Sequence, residues 1–572
     1  MLDAGIVLFA SAATVILLGG ATKLSIAGVQ ILLLNPVRPA IWAAGLIALR
    51  LWIGRGLNPL PAIPAPRIAS RLAAERSRFG SMPPIPPGFG TYLAAVALAS
   101  IVMFAPQVLH IRQVPDPGDP IFSAWRLARF AHQLIHDPRH LFDGNIFYPE
   151  RLTLTYSDAT ILQGLLATPF ILAGADPLIV SNALFLAAFP LCGMAFFYAA
   201  WRLTGDPRAS FVAGLLGALY PFHTEHYSHL ELQYFFFVPL AMVALLDLLA
   251  APTLRRGALL GLIVCCQWLA SMYFGIMLIT FLIPFGAVVA LAWRVRLDRR
   301  LVGAVTLAAV AVAAALVVVG APYMMSRQVR GDRAFALVRL SSAQPVDYTR
   351  PHARLASHDW RSRVGNTQER ELFPGFAVTA FAIVGVIPPL NGVATATLVS
   401  GALALDWSFG TNGLTYDDLY RWVLPYRGMR VAARFSVFVG SALILLGAYG
   451  MVRLLRLGRG PRGEMAIFLI ATGLVLMDLR PRVGLRDYWR TVPPIYAAVS
   501  SEMILAEFPF EPGVDQMYFS TAHWAQLFNG YSGFFPESFI RMARQVDAFP
   551  ADPSLDALRA AGATHITVNC RL

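Results

Sequence analysis

Two aspartates in the segment VPDPGDPIF form an acidic turn that could do acid–base chemistry. Asp116 and Asp119 are three positions apart, and Pro117, Gly118 and Pro120 shape the backbone around them. A carboxylate held in this way can accept a proton from an attacking hydroxyl, so both residues are candidates for a general base. Acidic Pro/Gly turns are also common helix connectors, and Asp119 could simply cap the helix that follows.

The turn lies in a polar insertion, residues 110–159, between apolar segments that are long enough to enter a bilayer. The stretch IFSAWRLARFAHQLIHD follows the turn and predicts an amphipathic helix lying in the membrane interface. At about 100° per residue, the polar face of this helix carries Arg126, Arg129, Gln133 and His136. The opposite, apolar face carries Leu127, Ala131, Leu134 and Ile135.

Composition places the chain among polytopic membrane proteins, since 57% of its 572 residues are hydrophobic and only 14% are charged. The net charge of +13 comes from arginines clustered beside apolar runs. That distribution follows the positive-inside rule, so we expect membrane lipids and no nucleic acid as partners. The four cysteines have neither the spacing of a disulfide framework nor that of a metal site.

The apolar segments predict about thirteen transmembrane helices, with the N-terminus inside and the C-terminus outside. The basic loop 55–88 is then cytoplasmic, and segments 110–177, 222–232, 321–373 and 406–432 are external. The chain must cross the membrane an odd number of times between the external acidic loop and the next cytoplasmic basic cluster. The apolar segment 159–174 is therefore predicted to be a re-entrant or interfacial piece and not a span. The predicted apolar segments are 4–20, 37–54, 89–109, 178–202, 209–222, 233–251, 256–271, 274–292, 301–320, 374–389, 393–406, 433–454 and 465–479.

Three domains are predicted: a two-span addition with a basic loop (1–88), a transmembrane domain (89–479) and an external α/β domain (480–572). In the last, MILAEFPF, QMYFS and THITVNC read as strands, and FPESFIRMARQVDAF and PSLDALRAAG as helices. Residues 23–36 alternate weakly and predict a short external hairpin.

Three further clusters could bind ligands. The loop FHTEHYSHLEL carries three histidines and two acids that suit either a metal or ordinary interfacial positions: His223, Glu225, His226, His229 and Glu231. External arginines, above all Arg427, Arg430 and Arg434, predict a site for a lipid-linked phosphate, with snorkelling towards headgroups as the alternative. In HWAQLFNGYSGFF, aromatic rings beside amides suit a sugar acceptor or a domain core; they include Trp524, Asn529 and Tyr531.

The chain resembles bacterial proteins of the GT-C superfamily of membrane glycosyltransferases over about residues 90–572. The resemblance rests on VPDPGDPIFSAWRLARFAHQL, FDGNIFYPERLTLTYSD, WRLTGDPRASFVAGLLGALYPF, QERELFPGF, PYRGMRVAARF and STAHWAQLFNGYSGFFP. It implies an α-helical polytopic fold in the bacterial cytoplasmic membrane, with catalysis on the external face. The implied enzyme moves a sugar from a polyprenyl-phosphate donor to an envelope glycan or lipid acceptor.

In that superfamily an acid of the first external loop is the general base, which implies Asp119, with Asp116 second. Arginines would hold the leaving phosphate, namely Arg427, Arg430 and Arg434, and a divalent cation such as Mg or Mn is a candidate cofactor. The expected substrate-binding residues are His132, Asp158, His226, His229, Glu231, Trp524, Asn529 and Tyr531. The alternatives are a lipid-linked-saccharide transporter or flippase, which would need ionisable residues within its spans, and a non-catalytic envelope-assembly protein.

Overall fold

The computed structural model describes residues 22–26, 29–33, 65–351, 354–356, 368–488 and 491–569, and divides the chain into two compact units, Met1–Ala74 and Glu75–Leu572. In the first unit, strands β1 (Thr22–Ile26) and β2 (Val29–Leu33) form an antiparallel hairpin, as the alternating pattern predicts. The predicted spans 4–20 and 37–54 lie outside the described residues. Helix α1 (Ala65–Ser77) begins in this unit and ends in the second.

The longer helices of the second unit follow the predicted apolar segments. This unit is mostly helical, and its α-helices are given next in chain order. They are α2 (Phe89–Met103), α3 (Ala105–Leu109), α4 (Asp119–His136), α5 (Ile161–Leu172), α6 (Pro177–Thr204), α7 (Pro207–Ala218), α8 (Pro221–Glu225), α9 (Phe237–Ala250), α10 (Leu254–Ala270), α11 (Met272–Ala292), α12 (Arg299–Arg330), α13 (Phe335–Leu340), α14 (Phe376–Val386), α15 (Gly392–Ser408), α16 (Tyr416–Trp422), α17 (Ser436–Leu455) and α18 (Gly460–Asp478).

Among the described residues, five helical stretches are long and apolar enough to cross a membrane: Pro177–Thr204, Met272–Ala292, Arg299–Arg330, Ala432–Leu455 and Gly460–Asp478. Shorter apolar helices accompany them, so the total of about thirteen spans stays a prediction. Helix α12 continues ten residues beyond the predicted end at 320 and carries two arginines, Arg327 and Arg330, in its last turn.

The helices pack closely because glycines remove side chains at their contacts. A Cβ built on Gly385 of α14 would lie 1.9 Å from the carbonyl oxygen of Leu446 in α17. One built on Gly450 of α17 would lie 2.0 Å from the carbonyl oxygen of Phe381 in α14. Two backbones in contact at small residues are typical of helix packing in membranes.

One end of the helices gathers several residues that were predicted to face the cytoplasm. Arg202 donates to Asp247 at 2.6 Å, and the backbone N–H of Gly80 donates to the same carboxylate at 3.0 Å. Arg208 at the start of α7 contacts Glu464 of α18 at 2.9 Å. These contacts place the predicted cytoplasmic loops near each other, while the orientation in the membrane stays a prediction.

Helix α4 corrects the prediction of an interfacial amphipathic helix. Most of its polar face is covered by protein, since Arg126 and Arg129 are only 2% and 6% exposed, and only His136 in the last turn of that face is exposed. Arg129 instead donates to the carbonyl oxygen of Asp143 at 3.1 Å, and Gln133 donates to that of His140 at 2.9 Å. Helical periodicity identifies a polar face, but it cannot tell whether solvent or a distant polar segment covers it.

Helix α5 is the apolar piece that the parity argument treated as re-entrant or interfacial. Its twelve residues extend only about 18 Å at about 1.5 Å per residue, less than the ~30 Å of a bilayer core. Pro169 lies inside it, and the chain turns at Gly174, whose φ of 88° lies in the left-handed region. Its length therefore agrees with the prediction, and its depth in the membrane is untested.

The C-terminal segment contains a three-stranded parallel sheet in the order β6 (Gln526–Leu527), β5 (Ile504–Phe508), β7 (His565–Val568). A shorter strand, β4 (Arg486–Asp487), pairs with β3 (Gln113–Val114) of the first loop. The helices are α19 (Val514–Phe519), α20 (Glu537–Gln545) and α21 (Asp552–Ala560).

Most of the predicted elements in this segment are confirmed, but QMYFS is helical in α19 rather than a strand. Met517, Tyr518 and Phe519 are consecutive and all buried, in cores formed with α4 and the first loop. A short apolar run of this kind fits a buried helix as well as a strand, so the sequence pattern does not separate the two. The two-residue strand β6 was not predicted, because a strand that short has no periodicity to detect.

Candidate active site

Asp119 is the first residue of α4, directly after the Pro/Gly turn. Its Oδ1 accepts a hydrogen bond from the Tyr531 hydroxyl at 3.2 Å, and its Oδ2 lies 3.2 Å from His229 Nε2. The side chain is 30% exposed. The carboxylate is therefore held by two side chains from distant segments while part of it remains open to a ligand.

Asp116 has a different environment, although it is only three residues away. Its Oδ1 accepts from the backbone N–H of Gly118 at 2.9 Å, and its Oδ2 accepts from the Ser228 hydroxyl. One oxygen thus holds the turn, and the other attaches it to the loop that precedes the short 3₁₀ helix Glu231–Gln233. Asp116 consequently stabilises the turn that leads into α4, whose first residue is Asp119.

Burial raises the pKa of the Asp119 carboxyl, and the nearby negative charges of Glu231 and Asp116 act in the same direction. His229 and Arg126 oppose this rise. The net effect is a carboxyl that binds a proton more readily than a free aspartate. This is the direction expected for a group that must accept a proton from a hydroxyl.

Behind Asp119, Arg126 joins three segments of the chain. It donates to Glu231 Oε2 at 2.9 Å and to the carbonyl oxygen of Asp158 at 2.5 Å. Burial opposes the ionisation of Glu231, but Arg126 and then His229 keep its pKa below the ordinary value. Asp158 Oδ2 accepts the first N–H of α11, from Met272, at 2.8 Å. Burial, followed by the charge of Glu231, raises the pKa of Asp158 to about 7.

The segment QERELFPGF supplies a second acidic cluster that the sequence reasoning missed. Glu369 accepts two hydrogen bonds from Arg434, at 2.7 and 3.2 Å. Burial acts against its ionisation, yet the charge of Arg434, with those of the two histidines His226 and His229, lowers the pKa of Glu369 to about 2. His229 therefore lies within electrostatic reach of both Asp119 and Glu369.

Glu225 completes this cluster. Burial, together with a hydrogen bond to Glu371 and the charge of that residue, raises the pKa of Glu225 well above its ordinary value. The available signal in the sequence was the alternation of acids with arginine, E-R-E, immediately before an apolar span. That pattern does not reveal which distant residues the two acids meet.

The three arginines predicted to bind phosphate have different environments. Arg434 is engaged with Glu369 and lies over the Tyr273 ring at 4.9 Å. Arg427 donates to the carbonyl oxygen of Arg421 at 2.8 Å. The side chain of Arg430 is 45% exposed, and its guanidinium lies 3.9 Å from the Glu369 carboxylate. Of the three, Arg430 has the guanidinium most open to an anion.

Two of the predicted substrate-binding residues stack on each other at the far end of α4. The rings of His132 and Trp524 are 4.4 Å apart, and thirteen residues of helix place His132 about 20 Å along the axis from Asp119. Burial, followed by the charge of Arg129, lowers the pKa of His132 to about 4. Asn529 is fully buried and bridges to the backbone of Glu507, accepting from its N–H at 2.8 Å and donating to its carbonyl oxygen at 2.9 Å.

Taken together, the structure brings several predicted residues to Asp119 and leaves others away from it. His229 and Tyr531 contact Asp119 directly. The His226 ring packs against Phe222 at a centroid distance of 4.1 Å with the planes tilted by 48°, and it lies edge-on to His229 at 5.7 Å. Glu231 and Asp158 are joined through Arg126. His132, Trp524 and Asn529 belong to other contacts.

A divalent cation does not fit the two aspartates well. Among the described residues, no group of three or more His, Cys, Asp and Glu side chains is arranged to hold a metal ion. The two oxygens of Asp119 already meet a tyrosine hydroxyl and an imidazole, and those of Asp116 meet an N–H and a hydroxyl. Each oxygen therefore already has one partner, which a bound Mg or Mn would have to share or displace.

No protein-family model matches the chain, and no curated protein matches it. The structure is similar to a single-particle cryo-EM structure of a mutant of the arabinofuranosyltransferase AftD from mycobacteria. The TM-score is 0.55 at 13% sequence identity, and the match covers 84% of this chain and 36% of the AftD chain. This chain thus spans little more than a third of that protein's length, and the similarity concerns the fold. It supports the mostly helical fold that the sequence predicts.

Proposed function

We propose that the protein is a membrane glycosyltransferase that uses a polyprenyl-phosphate-linked sugar and transfers it to a glycan or lipid acceptor, with Asp119 as general base. The observation that carries the proposal is the Asp119 carboxylate, oriented by two partners and still partly open, in a fold similar to that of a glycosyltransferase. We place the reaction on the external face of the bacterial cytoplasmic membrane, where the positive-inside rule puts this loop.

In the proposed reaction, the oxygen of the acceptor hydroxyl attacks the anomeric carbon of the donor sugar. The bond between that carbon and the phosphate oxygen breaks, and the phosphate leaves with the electron pair. The hydroxyl proton moves to Asp119, whose pKa is raised by burial. General-base assistance of this kind contributes about 10²- to 10⁴-fold to a rate.

Arginines near the site would stabilise the leaving phosphate. Arg430 is the most open of those predicted, and Arg333 lies close enough for the two charges to repel each other. An anion between two such arginines would relieve that repulsion while making charge-assisted hydrogen bonds. This arrangement favours a phosphate as the ligand on that side of the site.

The long helix α12 favours a lipid-linked donor. Its apolar surface is largely exposed, with Val317 and Val318 at 68% and 73%, and Arg330 ends the helix. A polyprenyl chain lying along this surface would bring its phosphate to the end of the helix, beside Arg330 and Arg333. The bound sugar would then extend towards the carboxylates of the site.

The test uses purified wild-type protein and a panel of polyprenyl-phosphate-linked monosaccharides, with mass spectrometry of released polyprenyl phosphate as the readout. The panel includes an arabinofuranosyl member because AftD is an arabinofuranosyltransferase. Envelope glycan and lipid extracts serve as acceptors. Asp119→Asn should lower transfer by about 10²-fold or more, because it preserves shape but removes basicity.

Asp137→Asn is the matched control, since the side chain of Asp137 is 48% exposed at the end of the same helix and pairs with His140 rather than with Asp119 or its partners. It should transfer at the wild-type rate, and both variants should retain the thermal stability of the parent. Transfer by Asp119→Asn at the wild-type rate would show that another group accepts the proton.

A further inference from the structure

Tyr531 is supplied to the first-loop aspartate by the C-terminal segment, more than four hundred residues later in the chain. Its hydroxyl donates to Asp119 Oδ1 at 3.2 Å. The contact is thus made between the first polar insertion and the segment that carries the parallel sheet. Neither segment contains the complete environment of the carboxylate.

The position of Tyr531 is set by the interior of the C-terminal segment. Its backbone N–H points to Met517 Sδ at 3.0 Å, and its ring lies edge-on to Phe122 at 5.5 Å. Two residues earlier, Asn529 is tied to the backbone of the central strand through Glu507. The hydroxyl therefore cannot move far unless this part of the protein moves as well.

The same segment is joined to the first loop by backbone hydrogen bonds. Leu527 donates to the carbonyl oxygen of Asn145, and Tyr148 donates to that of Leu527, both at 2.9 Å. The Asn145 amide donates to Ser520 Oγ at 3.0 Å and to the Ala525 carbonyl oxygen at 2.8 Å. An apolar core shared by the two segments surrounds these contacts, and it includes Trp125, Phe147, Leu505 and Met517.

We propose that the C-terminal α/β segment is a working part of the catalytic site, in which Tyr531 is a positioning residue that orients the Asp119 carboxylate for proton acceptance. This inference rests on the proposed function of Asp119 as general base. The hydroxyl of Tyr531 fixes one oxygen and His229 fixes the other, so the carboxylate presents its remaining lone pairs in a defined direction. Misplacing a reacting group by about 1 Å can cost as much as ~10²-fold in rate.

The Tyr531 hydroxyl also favours the ionised form of the base. A hydrogen bond donated to a carboxylate stabilises its charge, which opposes the effect of burial. Removing the hydroxyl should therefore make Asp119 hold its proton to higher pH. The titratable and charged groups that face Asp119 are Asp116 on its own turn, Arg126 on α4, His229 and Glu231 on the loop before α9, and Tyr531 on the C-terminal segment.

The experiment compares Tyr531→Phe with the wild type in the full-length protein. The transfer rate should fall about tenfold or more at pH 6 while the donor KM stays within about twofold, because positioning acts on the chemical step. The acidic limb of the pH–rate profile should move up by about one pH unit, so that part of the rate returns at high pH.

A second readout does not need the donor. The probe is N,N′-dicyclohexylcarbodiimide, which reacts with protonated carboxyls, and peptide mass spectrometry measures its attachment to Asp119. At pH 7, labelling should increase several-fold in Tyr531→Phe. The control is Tyr518→Phe, which removes a hydroxyl of the same segment that donates to Asp176 Oδ1 at 3.3 Å, away from Asp119. It should leave both readouts unchanged.

The outcomes separate the two proposals. If Asp119→Asn abolishes transfer but Tyr531→Phe leaves the pH profile and the labelling as in the wild type, the positioning role is wrong and the general base stands. If Asp119→Asn transfers normally, the proposed function fails, whatever Tyr531→Phe does. Equal losses in Tyr531→Phe and Tyr518→Phe would reduce the contact to one of docking and would also overturn the positioning role.

Discussion

His229 Nε2 lies 3.2 Å from Asp119 Oδ2, and the other ring nitrogen of this histidine, Nδ1, is buried without a hydrogen-bond partner among the described residues. A protonated Nδ1 would leave a buried donor unpaired, which costs more than leaving a lone pair unpaired. Of the two neutral tautomers of this ring, the geometry therefore favours the one that carries its proton on Nε2 and donates to Asp119.

The first prediction follows from that tautomer. His229→Gln should keep much of the transfer rate, because its amide can donate to Asp119 as Nε2 does, whereas His229→Leu removes the donor and should lower the rate about tenfold or more. Transfer rates at pH 6 and pH 8 measure the difference. Equal rates for the two variants would show that the donor to Asp119 is not what His229 contributes.

The second prediction separates the arginines by their partners. Arg430→Ala should weaken binding of a polyprenyl-phosphate sugar by about 1.5–3 kcal/mol, the value of a charge-assisted bond, without loss of stability. Arg434→Ala should instead destabilise the protein by about 3 kcal/mol or more, because it removes both hydrogen bonds that Arg434 donates to the buried Glu369 carboxylate. Donor affinity and thermal unfolding are the two measurements.

The control for this pair is Arg339→Ala, which removes an exposed arginine from α13. It should change neither quantity. Unaltered donor affinity in Arg430→Ala would assign that side chain to lipid headgroups rather than to the donor phosphate.

The third prediction concerns Glu507, which is 3% exposed in the central strand β5 and accepts from the Tyr496 hydroxyl at 2.5 Å. Burial raises its pKa from 4.5 to about 7, equivalent to about 3 kcal/mol. The folded state keeps this proton to higher pH than the unfolded state does. The contribution to stability is therefore complete below pH 4.5 and is lost as the pH rises to about 7.

Glu507→Gln should remove this pH dependence. Near pH 8 the variant should be the more stable protein, by at most about 3 kcal/mol, and near pH 4.5 the two should be alike. Protease resistance and hydrogen exchange of the C-terminal segment at both pH values give the measurement. Glu511→Gln, an exposed acid of the same segment, is the control, and a stability difference independent of pH would contradict the prediction.

The fourth prediction tests the topology. In a variant without the four cysteines, a cysteine introduced at His140 should react with an impermeant thiol reagent from outside intact cells. A cysteine at Ser81, in the predicted cytoplasmic loop, should react only after permeabilisation. Both positions are exposed in the protein, so burial would not protect either one. The reversed pattern would invert the arrangement and move the proposed site to the cytoplasmic face.

The sequence by itself determined the helical membrane architecture of this protein. Long apolar runs interrupted by arginines allow little else, because a backbone in hydrocarbon must satisfy its hydrogen bonds within each helix. It also identified the acidic turn, since proline and glycine act on their immediate neighbours. The sequence also located helices α20 and α21 and strands β5 and β7, because the apolar and polar pattern of each element lies within a short stretch of chain.

Only the tertiary structure decided which polar residues meet. Asp119 and Asp116 look alike in the sequence, yet one faces His229 and Tyr531 while the other holds its own turn and Ser228. Arg126 was predicted on the polar face of an interfacial helix and is an internal partner of Glu231. A buried charge needs a partner, but periodicity and composition do not say which of many distant side chains supplies it; that depends on how the segments pack.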